Sequence, residues 1–173
     1  MVSFRGVSIL DDSVQALLTE YFAARAQTFP KDQGTYQTTF PTPTDFVAPN
    51  GVFLVVEGED LAGDASDVGC GGIRLLGNGD ADDAELADAP RGEVRYEVKH
   101  LWLQPHTRGL GYGRALLAEL ERRARELGAT ELVLDTNASL EAAGGLYRSS
   151  GFIEVPPYNN NPNATTWYSK ALF

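Results

Sequence analysis

Residues 107–121, TRGLGYGRALLAELE, decide how the rest of the chain is read. Arg108 and three glycines at alternate positions, Gly109, Gly111 and Gly113, open a run with the spacing of an amphipathic helix. The first amides of a helix have no intrahelical partner, so such a loop is built to meet an anion. Several loop types compete for this reading. A dinucleotide fingerprint has the right order of strand, turn, helix and second strand ending in Asp135, but its G-x-G-x-x-G spacing puts Arg114 or Leu116 at the third glycine. The G-x-x-x-x-G-K-[ST] order of a nucleotide phosphate loop is missing, and a turn without a ligand needs one glycine rather than three. The order R-x-x-G-x-G, from Arg108 to Gly113, is what remains.

Outward from the loop, EVRYEVKHLWL (93–103) is a strand by its β-branched and aromatic content. Regular alternation puts Glu97, Lys99, Leu101 and Leu103 on one face and Val98, His100 and Trp102 on the other. Behind the loop, Leu116, Leu117, Leu120, Ala124 and Leu127 share a helical face that Gly128 ends. Residues 131–135 form a strand, residues 139–149 a helix capped by Asn137 or Ser139, and residues 152–155 and 166–173 the closing strands. Nearer the start, residues 2–9 read as a strand. Asp12 with Gln15 makes a capping-box-like helix start, and Val14, Leu17, Leu18, Tyr21 and Phe22 follow at helical spacing. GVFLVVEG (51–58) and VGCGGIRLL (68–76) are further strands. The 29–50 segment has four prolines and no sustained period, and is expected to act as a substrate-side lid. Residues 77–92 mimic a calcium loop, but a loop begun at Asp80 puts Glu85 where glycine is required and Arg91 where glutamate is required, so a solvated hairpin loop is expected.

The chain has 173 residues, 43% of them hydrophobic, which suits one domain. It shows no secretory leader and no apolar run of membrane-spanning length, so a soluble cytoplasmic protein is expected. The lone Cys70 reads as a buried strand thiol, and no Cys/His cluster has metal-ligand spacing. A net charge of −10 disfavours nucleic acid as partner and suits a cationic substrate. Yet 8 of the 14 basic residues (Arg91, Arg95, Lys99, Arg108, Arg114, Arg122, Arg123 and Arg125) surround the glycine loop, where an anionic cofactor would sit.

Three motifs together resemble the GNAT superfamily of N-acetyltransferases. They are R-x-x-G-x-G at Arg108–Gly113, a strand of the form E-x-x-x-L-x-V that here reads EVKHLWL from Glu97 through Leu101 to Leu103, and A-x-x-L-Y-x-x-x-G-F at Ala143, Leu146, Tyr147, Gly151 and Phe152. The likeness covers roughly residues 93–155. The tail, with Tyr158, Asn161, Pro162, Ala164, Trp167 and Lys170, resembles a subset of bacterial members.

The resemblance implies a single α/β domain over 1–173, a mostly antiparallel twisted sheet with helices on both faces. Acetyl-coenzyme A, the donor, would enter where the parallel strands around Leu103 and Leu134 part. The implied activity moves its acetyl group to a primary amine by direct attack, with no metal and no membrane partner, in a chain that resembles frequently dimeric proteins. The implied cofactor-binding residues are Leu101, Trp102 and Leu103, the loop residues Arg108, Gly109, Leu110, Gly111, Tyr112, Gly113 and Arg114, and Asn137 and Tyr147. Glu97 is the implied base, acting directly or through water, since an alkylamine with a pKa of about 10 must lose a proton before attack. Its other reading is a glutamate paired with Lys99 or Arg95. The backbone amide near Leu103 would meet the oxyanion, and Tyr147 would protonate the leaving sulfur. One position departs from the pattern: Leu140 stands where many members have asparagine, and Asn137 is the proposed substitute. His100 and His106 are read as structural or surface residues. A non-catalytic acyl-coenzyme A sensor and a nucleotide-dependent oxidoreductase are the readings from other classes.

Overall fold

A computed structural model of the chain describes residues 2–76 and 93–172. Its elements are β1 (Ser3–Gly6), α1 (Asp12–Thr28), two short 3₁₀ turns (Lys31–Gln33 and Pro43–Phe46), β2 (Gly51–Glu59), β3 (Ala65–Leu75), β4 (Arg95–Leu103), a 3₁₀ turn (Pro105–Thr107), α2 (Tyr112–Glu126), β5 (Glu131–Thr136), α3 (Glu141–Ser149), β6 (Ile153–Val155) and β7 (Thr166–Ala171). The strands form one sheet in the order β1-β2-β3-β4-β5-β7-β6, antiparallel except for the β4/β5 pair. The calcium-loop mimic and the hairpin loop expected at 77–92 lie outside the described residues. Among the described residues no helix is long and apolar enough to cross a membrane.

Two apolar clusters cover the sheet, one per face. α1 contributes Val14, Leu17, Leu18 and Phe22 to one face, against Phe53, Val55 and Cys70. α2 contributes Leu116, Leu117, Leu120 and Ala124 to the other, which Tyr147 of α3 also joins. The α1 periodicity was legible, but its cap lies one residue earlier than expected: the Asp11 side chain accepts from Ser13 N at 2.9 Å. Neither Asn137 nor Ser139 caps α3, which starts behind Leu140 with no side-chain cap. β1 is shorter than the predicted 2–9, and β3 begins before residue 68.

The alternation expected along β4 breaks. Cys70 faces Trp102 and Gly72 faces Lys99, so Gly71 stands opposite both His100 and Leu101. His100 absorbs the extra residue with φ of 57°, and the strand bulges. Glu97, Lys99, His100 and Trp102 therefore share the α1 face, while Tyr96, Val98, Leu101 and Leu103 pack toward α2. The expectation that Lys99 and Leu101 share a face, and that His100 faces away from Glu97, is corrected by this bulge. Gly71 makes room for it, since a Cβ there would lie 3.2 Å from Leu101 and 3.3 Å from Leu116.

Candidate functional site

β4 and β5 pair only at Arg95–Glu131, Tyr96–Leu132 and Glu97–Val133, although both strands continue. The backbones part beyond Glu97. Gln104 N bonds back to Val68 O at 2.9 Å, so by strand alternation the amide and carbonyl of Leu103 turn toward the gap. The Arg108 guanidinium donates to Leu103 O from Nε at 3.2 Å and Nη2 at 3.1 Å, and lies 5.0 Å from the centroid of the Trp102 ring.

The glycine loop closes this end of the gap. Gly109 and Gly111 have φ of 78° and 83°, values that other residues adopt only under strain. Gly111 is the N-cap of α2 and has no side chain to close the helix end, and the first helical bond runs from Ala115 N to Gly111 O. The amides of Tyr112, Gly113 and Arg114 lie ahead of that bond, so they are left to an outside acceptor. A Cβ at Gly113 would lie 3.2 Å from Leu146 and 3.4 Å from Leu103, so this glycine lets α2, α3 and β4 meet. Tyr112 packs its ring on the sheet beside Gly58, and Leu110 points to solvent. Arg114 donates to Ser149 Oγ at 3.1 Å. Three of the eight basic residues expected around the loop, Arg122, Arg123 and Arg125, pair on α2 itself with Glu119, Glu121 and Glu126. Arg108 and Arg114 make no ion pair among the described residues.

A cavity of about 720 Å³ continues from the gap toward α1 and the two long connections, 29–50 and 156–165. Tyr147 lines it, and its hydroxyl makes no hydrogen bond among the described residues. Burial, then the Asp135 charge, raises its hydroxyl to about 12, so it is a proton donor at neutral pH.

Glu97 does not line the cavity. It is fully buried one layer behind, where Oε1 accepts from Arg74 Nε and Nη2, each at 2.9 Å, and lies 3.5 Å from Lys99 Nζ. Its Oε2 accepts from Tyr158 Oη at 2.6 Å and Asn159 Nδ2 at 3.5 Å. Of the two ion-pair partners expected, Lys99 is present and Arg95 is not; Arg74 is the main one. Burial, with Glu97 alongside, pushes the Tyr158 hydroxyl far above its ordinary pKa, so this tyrosine donates to the carboxylate.

The carboxylate that does line the cavity is Asp135, which accepts from Asn159 Nδ2 at 2.7 Å and sits 3.5 Å from Lys99 Nζ. In the sequence Asp135 stands out only as the strand-end acid of the rejected dinucleotide fingerprint.

Asn137 is fully buried with its amide engaged by the protein. It donates to Gln33 Oε1 at 2.7 Å and Asn163 O at 3.1 Å and accepts from Ser139 N at 3.0 Å, joining the two long connections. Trp102 lies on the α1 face and donates from Nε1 to Glu20 at 3.1 Å. The gap thus gathers Leu101, Leu103, Gly113 and Tyr147, whereas Glu97 and the side chains of Asn137 and Trp102 lie off it.

A family model described as the acetyltransferase (GNAT) family matches residues 12–152. An uncharacterised N-acetyltransferase of Schizosaccharomyces pombe is 30% identical over 122 residues, 70% of this chain and 64% of the relative. An IAA acetyltransferase of Azospirillum brasilense is 39% identical over 62 residues, 36% of this chain and 40% of the relative. The match therefore spans less than two thirds of either relative. Among solved structures, a putative acyl-CoA N-acyltransferase from Klebsiella pneumoniae is similar over 100% of this chain and 99% of its own, with a TM-score of 0.68 and 26% identity. A putative acetyltransferase from Salmonella typhimurium, solved with its cofactor acetyl-CoA, shares the fold at a TM-score of 0.61 and 18% identity over 100% of this chain and 95% of its own. The matched span takes in the glycine loop, the parted strands and Tyr147, and it makes this chain a member of the GNAT family of acetyltransferases.

Proposed function

We propose that the protein is an N-acetyltransferase that moves an acetyl group from acetyl-coenzyme A to a primary amine by direct attack in a ternary complex. The carrying observation is the continuity of three features: open amides at the start of α2, a gap where β4 leaves β5, and a cavity that begins at that gap and holds Tyr147. These residues fit the donor. The positive-φ glycines and the helix end suit a pyrophosphate, the unpaired edge of β4 at Leu101 and Leu103 suits an amide-bearing arm, and Arg108 and Arg114 flank the entrance. Acetyl-coenzyme A would supply the acyl group as a thioester.

The chain's own groups divide the proton work. The Leu103 amide, turned into the gap, is placed to stabilise negative charge on the carbonyl oxygen. Tyr147 holds a proton for the sulfur as the C–S bond breaks and the C–N bond forms. Glu97 is shielded by Arg74, Tyr158 and Asn159, so its role runs through neighbours rather than by contact with the amine. Lys99 stands 3.5 Å from both Glu97 and Asp135, and Asn159 touches both carboxylates. We assign removal of the amine proton to water held by this pair, with Asp135 on the cavity side and Glu97 fixing Arg74 and Lys99.

Calorimetry with acetyl-coenzyme A and a thiol-release screen across amine classes test the reading. Tight donor binding with acetyl transfer is expected. Asp135→Asn should lower kcat/KM by about 100-fold or more, the usual size of a proton-transfer contribution, and Glu97→Gln should lower it and displace the pH profile. Donor binding with no transfer to any amine would instead favour a sensing module. Binding of a nicotinamide dinucleotide without coenzyme A binding would sink the proposal.

A further inference from the structure

The charges at the cavity are unevenly paired. Arg74 is matched by Glu97 at 2.9 Å and Asp45 at 3.8 Å, and Lys99 by Glu97 and Asp135 at 3.5 Å each. A third cation, Arg25, reaches the same cavity from α1 and has no acidic partner among the described residues. It is 8% exposed, and its Nη1 is buried without a hydrogen-bond partner. The guanidinium is held 5.0 Å from the centroid of the Tyr36 ring, a contact that orients it without neutralising it. A buried charge without a counter-ion is costly, and stable folds leave few of them.

The surroundings define what would complete the site. Arg25 continues the buried face of α1, one turn after Phe22 and two after Leu18, so it is directed inward by the helix rather than left to choose solvent. The same lining carries the neutral side chains of Asn161 and Asn163. A guanidinium presents two parallel N–H donors that match the oxygens of a carboxylate, a geometry that an ammonium or a neutral hydroxyl does not reproduce. Arg25 and Tyr147 line the same cavity, which puts both groups within reach of one small molecule.

We propose that the acceptor is a small zwitterion, an amine that also bears a carboxylate, and that Arg25 holds the carboxylate while the amine faces Asp135 and the Tyr147 end of the cavity. The proposal rests on the acyl-transfer reading above and narrows it to amino acids and amines like them. Arg25 is then a specificity-determining residue: it touches the substrate away from the reacting atoms.

Matched triplets test this: an amino acid, its carboxamide, and the amine left when the carboxyl group is removed, each assayed by thiol release from acetyl-coenzyme A. The wild-type protein should prefer the acid over both neutral partners by about 100-fold in kcat/KM in at least one triplet, because a site built around a charged group rejects analogues that leave it unpaired. In Arg25→Met, which keeps a long apolar stem against Tyr36, that ratio should fall to near one, and Arg25→Lys should restore only part of it. If the variants do not fold, the wild-type ratio alone decides. Equal use of acids and neutral amines, or transfer only to amines without a carboxylate, overturns the proposal and leaves the acetyltransferase reading intact. Donor binding without transfer to any member overturns it too, whereas failure to bind acetyl-coenzyme A removes the reading beneath it.

Discussion

Burial raises the Tyr147 hydroxyl to about 12, with the Asp135 charge adding to it, so the phenol keeps its proton across the range in which an amine becomes a free base. Tyr147→Phe should therefore lower kcat by about 100-fold while leaving the KM for acetyl-coenzyme A within about twofold, because the ring contacts with Phe152 and Tyr168 survive. The wild-type rate should show no descending limb up to about pH 10, since Tyr147 ionises only above that. A steady-state pH profile checks both points, and a fall in rate centred near the ordinary tyrosine pKa would assign the proton elsewhere. Tyr147 could be singled out from its place in a motif, but Arg25 could not. Its signal was nevertheless present: it stands at the next position of the stripe formed by Val14, Leu17, Leu18, Tyr21 and Phe22, where a charged residue is out of pattern.

At the scale of the element, the β4 bulge explains why strand alternation misjudged the site. One extra residue turns His100 onto the α1 face, where Tyr21, Phe22 and Phe46 surround it at centroid distances of 5.6–6.1 Å. Burial, with Lys99 and Arg74 nearby, lowers the imidazole to about 3, so it stays neutral in the fold. In the unfolded chain an imidazole takes up its proton near pH 6.5. The unfolded state thus binds more protons between these values, and stability falls as pH drops through the upper one. Between pH 7 and pH 5 the protein should lose about 2 kcal/mol more than His100→Asn, whose side chain tolerates the same left-handed backbone. Urea unfolding at the two pH values measures the difference, and equal losses in both proteins would show that His100 is not the titrating group. Nothing in EVRYEVKHLWL announces the bulge, because an extra residue is defined only by the partner strand, here Gly71 of β3.

The whole molecule assembles its cavity from segments far apart in the chain, and small ties set its shape. The Asn163 amide exchanges two bonds with the Gln37 backbone, accepting from its N at 2.9 Å and donating to its O at 2.8 Å, while Asn163 O receives Asn137. These contacts fix the 29–50 connection against the tail. Asn163→Ala should raise the KM for the amine by about fivefold to tenfold, the equivalent of one or two net hydrogen bonds, with no matching change for acetyl-coenzyme A. Parallel changes for both substrates would mean a general loss of order instead. At this scale the molecule's net charge of −10 and the cavity's unmatched Arg25 have opposite signs, so overall charge is a poor guide to the acceptor. The sequence by itself determined the sheet-and-helix order, the glycine loop at the open start of α2 and the family, because helical period, glycine conformation and orphan amides are properties of neighbouring residues. Only the tertiary structure decided that Glu97 lies behind Arg74, that Asp135 faces the cavity and that Arg25 has no acidic partner among the described residues, because whether a charge is paired depends on distances between residues that the chain order does not bring together.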